Sequence, residues 1–175
     1  MKKLNLLLFD ANIVIYLFKL GIWDKVIALC DVHLSETVVD EARFYDDASG
    51  FEKTIDLGAE IESGGIKTFG LETSKLAAFR HQFDPLYFER LDPGELESLV
   101  FLSDAEEEYL LCSADSIVFK VLGNLRLSHQ GISLEEVLQR IGIGRNIEYQ
   151  YSKKFREKWD KIGAQERMYG QGIGK

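Results

Sequence analysis

Four acidic residues stand where short apolar stretches give way to helical ones. Asp10 follows the apolar run that opens at Leu4. Glu41 stands about a turn and a half into a stretch that begins at Ser35. Glu95 lies in "DPGELESL", and Asp115 lies two residues beyond "YLLCS". In an open parallel sheet, ligands bind beyond the carboxyl ends of the strands, so carboxylates from four segments could meet there. Packed without a counter-charge, they repel and raise each other's pKa. A divalent cation resolves that conflict. Hard oxygen donors suit Mg²⁺ or Mn²⁺, which activate water and clamp phosphates. Each acid also has a purely structural reading. Asp10 can cap a helix, and Glu95 can close a capping box with Asp92. The helix dipole favours Asp115 in a first turn, and Glu41 can be a surface helix residue. Glu36, Asp40 and Glu97 read as solvated.

The elements that must position these acids alternate. Strands are predicted over 4–9, 32–34, 66–69 and 109–113. Helices are predicted over 11–20, 23–30, 35–45, 51–62, 74–83, 92–108, 114–122 and 133–141. Ser35 reads as an N-cap, "SGG" at 63–65 as a turn, and Gly123 as the residue that ends its helix. Pro93 at N1 with Asp92 before it makes the 92–108 helix the firmest of the set. Strands separated by helices predict an α/β fold, three-layer α/β/α with a central, mostly parallel sheet. The nearest thing to a boundary is "GIGRN", so residues 1–145 are expected to form the main domain and 146–175 a basic, aromatic helical extension.

Composition fits that reading. Hydrophobic residues at 46% and charged residues at 29% describe a folded chain rather than a disordered one. Cys30 and Cys112 lie in apolar surroundings and read as buried thiols of a reducing compartment. Lys2 and Lys3 precede only a short apolar run, and no run approaches a membrane span. A cytoplasmic protein without membrane contact is expected. The net charge of −8 is uneven, since residues 145–175 carry eight basic against four acidic side chains. The acidic body disfavours bulk attraction to nucleic acid and leaves room for a small metal-neutralised anion site.

Taken together, "LLLFDANIVIYLF", "LSETVVDEARF", "LDPGELESLVFL" and "YLLCSADSIVFKVLGNLRLS" resemble, in order, the motifs of the PIN-domain family of metal-dependent ribonucleases. Many of these are toxins of toxin–antitoxin pairs. The resemblance covers roughly residues 4–145. It implies that Asp10, Glu41, Glu95 and Asp115 bind Mg²⁺ or Mn²⁺ and are catalytic. Asn12 and Ser113 would be supporting polar partners, with Glu97 an alternative to Glu95. It further implies hydrolysis of RNA phosphodiesters and an antitoxin protein or a second copy of the chain as partner. Two positions depart from the family pattern. Ala114 stands where many relatives carry an acid, and Ala11 where some carry Thr. These departures keep a second reading in play, a non-catalytic PIN-like module that binds RNA or a partner protein.

The segment "YQYSKKFREKWDKIGAQERMYGQGIGK" places Tyr151, Phe155, Trp159 and Ile162 at helical spacing, with lysines and arginines beside them. A helix folded back over the domain is expected. A dimer seam, a partner-binding helix and a basic arm guiding RNA are the functional readings, and "YGQGIGK" reads as a flexible end. "FDANIVI" partly resembles haloacid-dehalogenase phosphatases, yet Asn12 stands where those enzymes need a second Asp. His33, His81 and His129 are scattered and lack zinc-ligand spacing.

Overall fold

In the computed structural model, which describes residues 4–173, the first apolar run forms strand β1 (Leu4–Phe9). Its Leu7, Leu8 and Phe9 are wholly buried, as in a strand covered on both faces. Helices α1 (Ala11–Lys19) and α2 (Trp23–Leu29) follow, parted at Gly21 with φ +66°. Strand β2 (Cys30–Ser35) runs into α3 (Glu36–Glu41), and the Ser35 hydroxyl accepts from the Val38 N–H at 3.0 Å as its cap. Next come β3 (Phe44–Asp46), β4 (Glu52–Thr54), α4 (Gly58–Glu62), β5 (Ile66–Phe69), α5 (Thr73–Arg80) and α6 (Pro85–Phe88). The remainder comprises α7 (Pro93–Asp104), β6 (Leu110–Cys112), α8 (Ser116–Leu125), β7 (Gly131–Ile132), α9 (Leu134–Arg140) and α10 (Lys153–Met168). Lys2, Lys3, Gly174 and Lys175 lie outside the described residues.

Five strands pair in parallel in the order β5-β2-β1-β6-β7. Side chains alternate across the sheet. Leu7 and Phe9 join the cluster built with α1, α2 and α9, whereas Leu8 and Leu111 join the cluster built with α5, α7 and α8. The result is the expected three-layer α/β/α fold. Cys30 and Cys112 are both buried, as expected of thiols in apolar surroundings. No helix among the described residues is long and apolar enough to cross a membrane.

Several expected elements differ, each for a local reason. The helix placed over 35–45 stops at Glu41, and the helix placed over 51–62 begins only at Gly58. Between them stands an antiparallel hairpin of β3 and β4. Its turn is closed by the Asp47 carboxylate, which accepts from the N–H groups of Ser49 at 2.9 Å and Phe51 at 3.0 Å. The helix placed over 74–83 ends at Arg80, and Asp84 caps the separate helix α6 by accepting from the Leu86 N–H at 3.0 Å. Helix α7 stops at Asp104, before the Glu106–Glu108 run of like charges. β7, two residues long, carries too little pattern to be seen in the sequence.

Gly123 does not end its helix. It lies inside α8, which runs on to Leu125 and closes at Arg126 with φ 63°. The glycine is there for packing. A Cβ at Gly123 would meet the Asp160 carbonyl oxygen at 2.1 Å, and one at Gly163 would meet the Lys120 carbonyl oxygen at 2.0 Å. Two glycines thus let α8 and α10 cross with backbones touching. Phe155 and Trp159 fill the second apolar cluster beside that crossing, as the folded-back helix requires. Arg156 then ties α10 to α9, forking onto Glu136 at 2.7 and 2.9 Å and reaching Asp160 at 2.9 Å. Gly163→Ala should therefore cost about 2–3 kcal/mol through overpacking against rigid backbone. Gly144→Ala, where a Cβ meets nothing within 4 Å, should leave the melting temperature within error or slightly raised. Thermal unfolding of the two variants checks the contrast.

Candidate functional site

The chain lays β1, β2 and β5 to one side and β6 and β7 to the other. The crevice beyond the carboxyl ends of β1 and β6 is therefore the point where the strand order reverses, the usual ligand position in such sheets. Phe9 pairs with Cys112 there, so Asp10 and Ser113 step off the sheet side by side. Asp10 is 1% exposed. Its Oδ1 accepts from the Ile13 N–H at 2.8 Å and so caps α1. Its Oδ2 accepts from the Ser113 hydroxyl and from the Ala114 N–H at 3.4 Å. The Ser113 hydroxyl in turn accepts from the Asp115 N–H at 3.0 Å. Asp115 caps α8 by accepting from the Ile117 N–H at 3.0 Å. Both aspartates are helix caps and both flank the crevice.

Glu95 enters from the first turn of α7. One oxygen, Oε2, accepts from the Asp92 N–H at 3.1 Å and closes the expected capping box. The other, Oε1, is buried and has no hydrogen-bond partner among the described residues, in a residue only 3% exposed. A capping residue has no need to be buried, and an orphaned carboxylate oxygen is costly there. Burial first, then the charges of Asp10 and Asp115, push the Glu95 carboxyl up to about 9. Burial also raises Asp10 to about 6, against the opposing hydrogen bonds from Ser113, Ile13 and Ala114. Among the described residues, no lysine, arginine or histidine forms an ion pair with Asp10, Glu95 or Asp115.

Glu41 and Glu97 belong to a neighbouring group. Glu41, exposed at the end of α3, has its pKa raised by burial and by the charges of Asp92 and Glu97, while a hydrogen bond from the Gly94 N–H opposes the rise. A Cβ at Gly94 would lie 2.8 Å from Glu41 Oε2, so the glycine in this first turn makes room for the acid. Glu97 points away from Glu95, as the two-residue helical offset requires. It accepts from the Thr37 hydroxyl at 2.9 Å, and its Oε2 is buried and unpartnered. The acids thus form two groups around the start of α7. Asp10, Glu95 and Asp115 act on one another, Glu41 feels the charges of Asp92 and Glu97, and Asp92 links the two groups by acting on Glu95 as well. Asn12 is exposed on the first turn of α1.

Thr37 and Gly94 of this region went unread in the sequence, and Tyr151 was read only as part of the C-terminal helix's apolar face. Thr37 gave no signal. Gly94 did, since a glycine inside a helix asks for a close neighbour. Tyr151 stacks on Tyr16 of α1 with ring centroids 3.8 Å apart, and burial, Glu148 and Asp10 push its phenol above the usual range.

Among the described residues, no three His, Cys, Asp or Glu side chains form a ready-made metal cage. The chemistry of the donor set still fits a hard divalent cation: all donors are oxygen, and among the described residues one buried oxygen is orphaned and no cationic side chain pairs with the group. Without a cation, the linkage has a definite sign. Both raised carboxyls keep in the folded state protons that the unfolded chain releases. Their stabilising contribution is whole below about pH 4 and is lost as pH rises through about 6 for Asp10 and about 9 for Glu95. In EDTA, Glu95→Gln should stabilise the chain on the order of 2 kcal/mol at about pH 8, with the gain vanishing near pH 4. Thermal unfolding at the two pH values reads this directly.

No protein-family model matches the chain, and no match emerges among curated proteins or solved structures.

Proposed function

We propose that the chain is a PIN-like, divalent-metal-dependent endoribonuclease that hydrolyses RNA phosphodiesters at the crevice between β1 and β6. The observation that carries this reading is the buried carboxyl pair Asp10 and Glu95 beside Asp115, with Glu95 Oε1 left without a hydrogen-bond partner among the described residues. A fold stabilised only by caps would turn these groups to solvent. Burying them at the strand-order reversal suits a hard cation and an anionic substrate.

Asp10, Glu95 and Asp115 would hold Mg²⁺ or Mn²⁺, and Glu41 and Glu97 stand ready on the adjoining side of α7. When bound, such an ion activates water and offsets phosphate charge. The chain's own residues supply the rest. Ser113 and the Ile13 N–H fix the Asp10 carboxylate in one orientation. The Asp92 N–H fixes one oxygen of Glu95 and leaves the other buried and unpaired among the described residues. The N-termini of α1, α7 and α8 lie at this edge, and their dipoles temper the clustered negative charge. Ala114 offers only its backbone N–H to Asp10, so this chain lacks the extra acid seen in many PIN relatives.

A mixed RNA pool tests the reading. Cleavage should require Mn²⁺, stop with EDTA, and fall roughly 100-fold or more in Asp10→Asn, whose melting temperature without metal is equal or higher. Mn²⁺ should raise the melting temperature of the wild type and not that of the variant. RNA binding without any cleavage would favour the non-catalytic module, and Asp10→Asn cutting at the wild-type rate would exclude this site.

A further inference from the structure

The solvent face of α10 carries Lys154, Lys158 and Lys161, all exposed and spaced i, i+4, i+7. That spacing sets them in one stripe about 10 Å long. Lys153 pairs with Glu157 at 3.6 Å, whereas none of the three stripe lysines pairs with a carboxylate among the described residues. Lys158 lies over the Trp159 ring, 4.8 Å from its centroid. In a chain of net charge −8, three aligned and unneutralised lysines run against the overall trend.

The stripe starts at the edge of the sheet that holds the acids. Lys153 N–H donates to Glu135 at 2.7 Å. Glu135 lies in the first turn of α9, just beyond β7, and Ile132 of β7 pairs with Cys112 of β6. Cys112 is followed by Ser113, the partner of Asp10. Tyr151, one residue before the α10 cap, stacks on Tyr16 of the helix that Asp10 caps. From that edge the helix leads across α8, held by the Gly123 and Gly163 contacts.

We propose that Lys154, Lys158 and Lys161 form a backbone-binding stripe for single-stranded RNA, contacting successive phosphates of the strand whose scissile bond lies in the acidic crevice. The identity of the strand as substrate rests on the nuclease reading above. The stripe answers an electrostatic problem. An acidic body repels a polyanion over roughly a Debye length, about 10 Å. Local lysines supply attraction and release counterions from the phosphates they touch. Their flexible stems suit an unstructured strand better than one fixed geometry.

Anisotropy of a labelled single-stranded RNA on full-length Asp10→Asn protein, titrated with salt, tests the stripe. Lys154→Ala/Lys158→Ala/Lys161→Ala should weaken binding roughly 10-fold or more at low salt. It should also reduce the slope of log affinity against log salt by about 2. Lys19→Ala/Lys25→Ala, exposed lysines on α1 and α2, should change neither. Circular dichroism and Trp fluorescence of the triple variant confirm that α10 stays docked. Unchanged affinity and slope in the triple variant would overturn the stripe even if the wild type cuts RNA. Stripe-dependent binding by a chain that never cuts would sustain it and would sink the nuclease reading alone.

Discussion

A carboxylate placed at the end of a buried strand constrains everything around it. Leu7, Leu8 and Phe9 at the carboxyl end of β1 are wholly buried, and Asp10 follows them at 1% exposure. Such a group needs hydrogen bonds from elements that start where it sits. Helix α1 supplies the Ile13 N–H, and the turn after β6 supplies the Ser113 hydroxyl and the Ala114 N–H. The parallel pairing of β1 with β6, in register at Phe9 and Cys112, brings that turn alongside. The register of the sheet and the environment of Asp10 are one constraint seen twice.

Glu95 shows what that arrangement leaves unsolved. Capping accounts for one oxygen, and no partner among the described residues accounts for the other. The acid keeps its place because α7 is anchored by Leu96, Leu99, Val100 and Leu102 in the second apolar cluster. Packing of the helix thus fixes a buried carboxyl the site would otherwise expel. Gly94 opens space for Glu41 on the adjoining side, so one helix turn serves two acid groups.

Much of this was legible in the sequence where one residue has one local job. Asp10, Ser35, Asp92 and Ser133 read as helix starts and all act as such, while Asp115, read as a first-turn residue, is the cap of its helix. The hairpin of β3 and β4 was misread because its strands are exposed and short, so no buried alternation marks them. Gly123 was misread for a deeper reason. A glycine near a helix end and a glycine at a helix crossing look alike until the second helix is in place, and Gly163 lies forty residues on. The placing of Glu41 against Asp92 and Glu97 was equally hidden. It depends on where α3 and α7 meet, which is a matter of packing rather than of spacing.

The C-terminal helix joins the two halves of the electrostatics. Its buried side carries Phe155, Trp159 and the Arg156 fork onto Glu136, which hold it against α8 and α9. Once it is held there, the helical period alone sends Lys154, Lys158 and Lys161 to solvent. Docking and charge presentation are therefore inseparable in this helix. On the proposed nuclease reading, an acidic crevice and a polyanionic substrate would be compatible only if a cation neutralised the first and basic side chains guided the second. The carboxylates buried at the sheet edge and the lysines set on a helix that begins beside them would answer those two needs separately.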